Sequence, residues 1–304
     1  MCSGALALAA YPGSPVYFSN PVSILPDIEQ ARGYDQVIVC DIAINISTAN
    51  ILKDKIDSIA RDATVFYIDH HPLPEGFDAP WLINDEGASA SELTYVGFRD
   101  KLDPAMSRVS LYGAIADYRD NTEFVCQTLL DWDKPGVYYQ AGTLSQGMEA
   151  GRRDYDFKRD IVKKLAENTL PSEMDELVKN ALEASRKEDE TRRQVEKDVI
   201  RMRNIAYVID LKGGMSKAAI YCRVYGRTSV GLAAEYREHK DVYDFSVRAK
   251  GDIDLNSIVS RAAVKVGGTG GGHPLAAGGR IPASRFREFL LELDAAAGNA
   301  TGNK

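Results

Sequence analysis

Val65-Phe66-Tyr67-Ile68-Asp69-His70-His71-Pro72 is the stretch from which the fold of this chain can be read. A run of β-branched and aromatic residues ends on an acid and two imidazoles, the pattern of a buried strand that delivers polar groups to one edge of a sheet. Upstream, Gln36-Val37-Ile38-Val39-Cys40-Asp41 has the same form, an apolar run closed by an acid, as expected of a strand covered on both faces in a parallel sheet. Between the two, Thr48 to Arg61 places Ile51, Ile56 and Ile59 at roughly helical spacing behind the polar Ser47-Thr48. Strand, helix and strand imply a right-handed crossover, which puts Asp41 and Asp69-His70-His71 on the same edge.

Outward from this unit, Trp81 to Asn84 reads as a further short strand, and Ser89 to Phe98 and Ser107 to Asp117 as helices. The second of these also ends in an acid, so Asp117 is a third candidate ligand. Towards the start of the chain, Ser3 to Ala10 has the composition of a buried helix, Val16-Tyr17-Phe18 of a short strand, and Ile24 to Ala31 of a helical turn. From Gly151 to Arg203, Ile161, Leu165, Met174, Leu177, Leu182 and Val195 are sparse among Lys, Glu and Arg, which predicts a solvated helical connector. The charge run Arg186 to Lys197 within it reads as a wet helix face held by local ion pairs. A second α/β pattern follows: strands at Ile205–Ile209 and Ala218–Tyr225, a helix at Ser229–Glu238, a strand at Val242–Arg248, a helix at Leu255–Val266 and a last helix at Ser284–Ala297. The tail from Gly298 to Lys304 is expected to fray.

Composition narrows the function classes. The chain has 304 residues, 44% of them hydrophobic and 27% charged, enough for two domains each with its own core. A formal net charge of −7 argues against nonspecific binding of long nucleic acid, so no long duplex DNA partner is expected. Cys2, Cys40, Cys126 and Cys222 lie far apart without a CxxC pair, which favours free thiols and a reducing, cytoplasmic setting. Ala5 to Ala10 is apolar but too short to span a bilayer and lacks a basic flank, so no membrane partner is expected.

Asp41, His70 and Asp117 fall at the ends of neighbouring elements on one edge, where open α/β sheets place their sites. Carboxylate with imidazole suits Mn²⁺ or a similar divalent ion. Two such ions about 3.5–4 Å apart polarise a phosphoryl oxygen and activate a water for phosphoester hydrolysis. In the second α/β pattern, Gly267-Gly268-Thr269-Gly270-Gly271-Gly272-His273 offers bare backbone N–H groups that could cradle an anionic oxygen, with His273 as a directed donor. Ser246-Val247-Arg248, at a strand end, adds a guanidinium suited to phosphate or carboxylate. A phosphorylated ligand is implied at both places.

Asp69-His70-His71, with Asp41 before it and Asp117 after it, resembles the DHH phosphoesterase superfamily, and Ser246-Val247-Arg248 with Gly270-Gly271-Gly272-His273 resembles its companion DHHA1 substrate-binding domain. The resemblance covers nearly the whole chain apart from the connector. It implies an α/β fold with a parallel-sheet DHH catalytic domain over residues 1–150, a helical connector over 151–203, and a smaller α/β DHHA1 domain over 204–304. It points to the branch of nano-RNases, pAp phosphatases, cyclic-dinucleotide phosphodiesterases and RecJ-type exonucleases. Family II pyrophosphatases, whose second domain lacks the glycine–histidine motif, are disfavoured. Carried over residue by residue, Asp41 bridges two Mn²⁺ ions, for which Mg²⁺ or Co²⁺ could substitute. His70 and Asp117 complete the second ion's shell. Asp69 helps to hold the site, and His71 faces the scissile phosphate. In the second domain Arg248 and His273 grip the substrate phosphate, Gly271 and Gly272 offer backbone donors, and the substrate lies in a cleft between the domains. A homodimer is compatible with this branch.

One departure from the family's pattern stands out. Its first motif, His-x-Asp-x-Asp-Gly on the strand before the first helix, supplies the first ion's ligands, whereas this sequence opens at Met1-Cys2-Ser3-Gly4, where that motif would just have ended. The resemblance therefore implies a first strand and up to three ligands that the sequence as written lacks, with a start assigned too late as the expected explanation. Two function classes follow. One is a metal-dependent phosphodiesterase or phosphatase acting on short oligoribonucleotides, cyclic dinucleotides or pAp, with a RecJ-like single-strand exonuclease as the alternative. The other is a truncated homologue that binds nucleotide without turnover.

Overall fold

The computed structural model of the chain describes residues 1–150, 154–211 and 214–301. Two compact units are present, Met1–Ala184 and Ser185–Lys304.

In the first unit the elements run α1 (Cys2–Ala10), α2 (Ile24–Asp27), β1 (Gln36–Cys40), α3 (Ala49–Ile59), β2 (Thr64–Asp69), β3 (Leu82–Asn84), α4 (Ala90–Phe98), α5 (Ser107–Ala116), α6 (Glu123–Thr128), α7 (Lys134–Ala150), α8 (Tyr155–Ala166) and the long α9 (Asp175–Asp198), which continues into the second unit. Strands β1, β2 and β3 form a parallel sheet in that order, with Gln36 opposite Thr64 and Asp69 opposite Asn84. Successive side chains on a strand point to opposite faces, and this sorts the core. Val37, Val39, Val65 and Tyr67 pack with Leu52, Ile56 and Ile59 of α3 on one face. Ile38, Cys40, Phe66 and Ile68 lie with α1, α4, α5, α7 and α8 on the other. In α3 the buried stripe is Ala49, Leu52, Ile56 and Ile59, while Ile51, expected to share it, is 53% exposed. β1 is an edge strand, and a cavity of about 570 Å³ runs beside it, walled by Leu8, Tyr11, Val16, Phe18 and Ile24.

Three expectations for this unit are corrected. Val16-Tyr17-Phe18 forms no strand and runs as irregular chain. Helices α6 and α7 fill a region for which no element was expected. The stretch predicted as a solvated connector is in large part core: Phe157, Ile161, Val162 and Leu165 form one stripe on α8 and are buried with Met174 and Leu177. Sparse apolar residues suffice when their spacing puts them on a single helix face. Residues 151–153 of that stretch lie outside the described residues.

The second unit continues with β4 (Ile200–Arg201), β5 (Ile205–Ile209), α10 (Met215–Gly226), β6 (Val230–Arg237), β7 (Val242–Ala249), α11 (Leu255–Lys265), β8 (Thr269–His273), β9 (Ala276–Pro282) and α12 (Phe286–Thr301). Its mixed sheet has the order β4-β5-β6-β7-β9-β8. Two predicted states are exchanged here. Ala218–Tyr225, read as a strand, belongs to α10, where Ala218, Ala219, Cys222 and Gly226 form the buried face. Ser229–Glu238, read as a helix, contains β6, whose first five residues are all buried because both faces of this central strand are covered. The glycine run continues into the edge strand β8, antiparallel to β9. Residues 302–304 of the tail lie outside the described residues.

Candidate functional site

In the first unit, chemistry gathers where β1 and β2 end. Asp41 follows β1 in the left-handed region, φ 61°, a conformation that Asp tolerates better than most residues. Its N–H donates to the Ile68 carbonyl at 2.9 Å, and the Tyr67 hydroxyl donates to the Ile42 carbonyl at 2.7 Å, so the turn is fixed on both sides. Asp69, the last residue of β2, is fully buried. Asn84, its partner on β3, donates through Nδ2 to the carbonyls of Asp69 at 3.1 Å and His71 at 3.0 Å, which sets the path of the chain as it leaves the strand.

This backbone brings one ligand atom from each of Asp41, His70 and His71 to within 4.8 Å of one another. His70 Nε2 lies 3.5 Å from Asp41 Oδ1, while its Nδ1 lies 3.2 Å from the Ala88 carbonyl. A donor bond from Nδ1 to a backbone carbonyl fixes the tautomer and leaves Nε2 as the ligating atom, the arrangement usual for metal-bound histidine. His71 Nδ1 meets Asp69 Oδ1 at 2.8 Å, which leaves its Nε2 uncommitted to that pair. The other oxygen of Asp69 is buried without a hydrogen-bond partner among the described residues. Hard carboxylate oxygens and borderline imidazole nitrogens that converge in this way fit a divalent cation.

Charges in the cluster are coupled. Burial and the nearby Asp41 carboxylate raise the pKa of Asp117, which sits just past the end of α5. Asp117 is outside the 4.8 Å group, yet its field reaches both Asp41 and His70. Burial opposes ionisation of Asp41, but the hydrogen bond from His70 prevails and lowers its pKa. The same bond raises the pKa of His70, and the Asp69 carboxylate raises that of His71.

A divalent ion at Asp41 and His70 must compete with a proton for His70 Nε2, whose pKa the Asp41 hydrogen bond raises. Mn²⁺ affinity is therefore expected to weaken as pH falls through a midpoint above the ordinary imidazole value of about 6.5. Calorimetric titrations from pH 6 to 9 measure this, and a flat affinity across that range would contradict it. In the metal-free protein the sign is opposite. The two pairs stabilise the fold fully below about pH 6.5, and that contribution is lost as pH rises through the folded-state values.

In the second unit, Phe245 and Val247 of β7 turn into the core, and the intervening Ser246 and Arg248 occupy the other face. Arg248 donates to Ser246 Oγ at 3.1 Å, to the Val247 carbonyl at 2.9 Å, and to Ser216 Oγ near the start of α10. Arg248 on β7 and His273 on β8 both pair with Ala276 on β9, which places them in one cross-strand row. Gly272 has φ 152°, and a Cβ there would press on the Ala276 carbonyl, so only glycine fits. Its N–H, expected as a free anion donor, already donates to Asn256 Oδ1 at 2.9 Å. Gly270 is engaged as well, its carbonyl accepting from Ser260 Oγ at 3.0 Å. A Cβ on Gly271 would press against the same Asn256 and Ser260 side chains, at 3.1 and 3.2 Å.

Sequence reasoning missed Ala88, Asn84, Ser216 and Asn256. A polar residue at the end of a strand was the one available signal, for Asn84. Ala88 acts through its backbone, and the others act through loop or helix placement that no local pattern reveals.

Fold and site define a two-unit α/β protein with carboxylates and imidazoles at the carboxyl edge of a parallel sheet and, in its second unit, an arginine–glycine–histidine motif on a mixed sheet. Residues 207–299 match the family model of the DHHA1 domain. By sequence alone, no curated protein matches the chain. Among solved structures it resembles the pGpG-specific phosphodiesterase PggH from Vibrio cholerae, with a TM-score of 0.64 and 13% identity over 98% of this chain and 95% of that one. It resembles RecJ from Thermus thermophilus in complex with Mn²⁺, with a TM-score of 0.63 and 15% identity, over 98% of this chain but 50% of that one. It also resembles the DHH domain of a member of a ribosomal-protein family, with a TM-score of 0.66 and 15% identity over 96% of this chain and 82% of that one. The second unit carries a DHHA1 domain, and the fold shared with these structures extends over nearly the whole length of the chain. Among the described residues no helix is long and apolar enough to cross a membrane.

Proposed function

We propose that this protein is a divalent-metal-dependent hydrolase of phosphoester bonds acting on short oligoribonucleotides or dinucleotides. The observation that carries the reading is the convergence of Asp41, His70 and His71 at the sheet edge in a chain that also holds a DHHA1 domain. Asp41 and His70 would hold the ion, with Asp117 contributing negative charge. A divalent ion there supplies a polarised phosphoryl oxygen and a water of lowered pKa. His71, whose pKa the hydrogen bond to the buried Asp69 raises, is placed to donate to an anionic phosphate oxygen. In the second unit, Arg248 offers a guanidinium suited to a phosphate. The fold of PggH, a pGpG phosphodiesterase, is matched over 95% of its length and that of RecJ, solved with Mn²⁺, over half, which favours short substrates over long single strands.

Incubating the purified protein with Mn²⁺ and, in parallel, a 5′-phosphorylated diribonucleotide, a cyclic dinucleotide, pAp and a long single strand tests this. The diribonucleotide should be cleaved fastest, and a chelator should stop the reaction. Faster cleavage of the long strand would favour the RecJ-like reading. Nucleotide binding without turnover on any substrate would sink the hydrolase reading.

A further inference from the structure

Tyr118 stands out among the residues held at positive φ. The others among the described residues are Asp41, Asn168, Asp210, Arg227 and Asp241, of which all but Arg227 are acids or an amide that tolerate the left-handed region. Tyr118 adopts φ 57° as the residue just past the cap of α5. There its N–H donates to the Ile115 carbonyl at 3.2 Å, and the next N–H, of Arg119, donates to the Ala114 carbonyl at 2.8 Å. This two-bond closure is the helix ending in which glycine ordinarily takes the left-handed place. A bulky aromatic there is strained, and burial does not offset the strain, because Tyr118 is 84% exposed. Among the described residues its ring and hydroxyl make no hydrogen bond or ring contact. A strained, exposed aromatic that the fold does not use, directly after a carboxylate coupled to the Asp41–His70–His71 cluster, points to a ligand.

We infer that Tyr118 is a substrate-binding residue whose ring stacks on a nucleobase of the nucleotide whose phosphate is held at Asp41, His70 and His71. The inference rests on the proposed function and names the part of the substrate that this side of the site recognises. Every base offers a π-face, so such a platform favours nucleotides over other phosphoesters without selecting a sequence.

The test measures melting temperature and, with Mn²⁺ present, the affinity for two probes, a 5′-phosphorylated diribonucleotide and ribose 5-phosphate, which lacks a base. Tyr118→Gly relieves the backbone and removes the ring, Tyr118→Phe keeps the ring, and Arg227→Gly controls for relief at an unrelated left-handed position. Tyr118→Gly should raise the melting temperature by about 2–4 °C. It should weaken diribonucleotide binding about ten-fold and leave ribose 5-phosphate binding unchanged. Tyr118→Phe should bind like the wild type, and Arg227→Gly should affect stability alone. Unchanged diribonucleotide affinity in Tyr118→Gly overturns the inference, as does equal weakening of both probes, which would make Tyr118 a support for Asp117. A wild-type protein that cleaves or binds nucleotides while Tyr118→Gly behaves identically refutes the inference and spares the proposed function. A wild type that binds neither probe refutes both.

Discussion

Asp41→Asn is expected to lower the metal-dependent hydrolysis rate about 10³-fold while leaving the fold in place. The asparagine keeps the shape that the left-handed turn after β1 requires, since Asn also tolerates positive φ. What it removes is the negative charge that draws a cation to His70 and His71. Charge stabilisation by a bound metal is worth several kcal/mol in the transition state, and about 4 kcal/mol corresponds to three decades in rate. Stability should change little, because the lost pairing with His70 is offset by relief of the repulsion between Asp41 and Asp117. Rates on a diribonucleotide across a Mn²⁺ titration, read alongside a melting curve, give both quantities. Activity within a few-fold of wild type at saturating Mn²⁺ would remove Asp41 from the site.

The second large effect concerns stability. Gly231→Leu should destabilise the second unit by about 3 kcal/mol or more, at the upper end of what overpacking costs. Gly231 lies in β6, in the middle of the mixed sheet, and a Cβ on it would overlap the Ala219 carbonyl and the Arg223 backbone of α10. Those contacts are backbone, so no rotamer change can relieve them, and the helix would have to lift from the sheet. Opposite Gly231 in the register stands Arg248 on β7, so the displacement would reach the residue proposed to hold phosphate. Urea unfolding followed by hydrogen exchange across α10 and β6 would report it. Retention of wild-type protection there would contradict the packing described.

The positions of these two residues show what a sequence can and cannot disclose. Asp41 was legible because a strand covered on both faces is apolar until it emerges, so the first acid after Val37-Ile38-Val39-Cys40 marks the sheet edge. Asp69, His70 and His71 were legible for the same reason. The exchange of α10 and β6 has the converse cause. Tyr221, Val224 and Tyr225 have strand-forming side chains, yet they decorate a helix, while Leu232, Ala233 and Ala234 are good helix formers that lie in a strand. Small residues are needed in β6 because α10 lies directly over it, a demand set by residues distant in sequence. At the site, residue types and spacing suggested the ligand set, but not which atoms hold those ligands. The tautomer of His70 is set by a backbone carbonyl, and the Gly272 N–H is taken by a helix residue 16 positions earlier.

The cysteines carry a last consequence. All four are free thiols, and burial pushes those of Cys2, Cys40 and Cys222 up to about 12. Only a thiolate attacks peroxide, disulfide or an alkylating reagent. These three sulfurs therefore behave as small apolar side chains, including Cys40, which immediately precedes Asp41 in the sequence. Cys126 on α6 is exposed and is the thiol open to solvent chemistry. The sulfur nearest in sequence to Asp41 is thus chemically quiet under oxidising conditions, and a thiol-directed probe would mark α6 while leaving Asp41, His70 and His71 untouched.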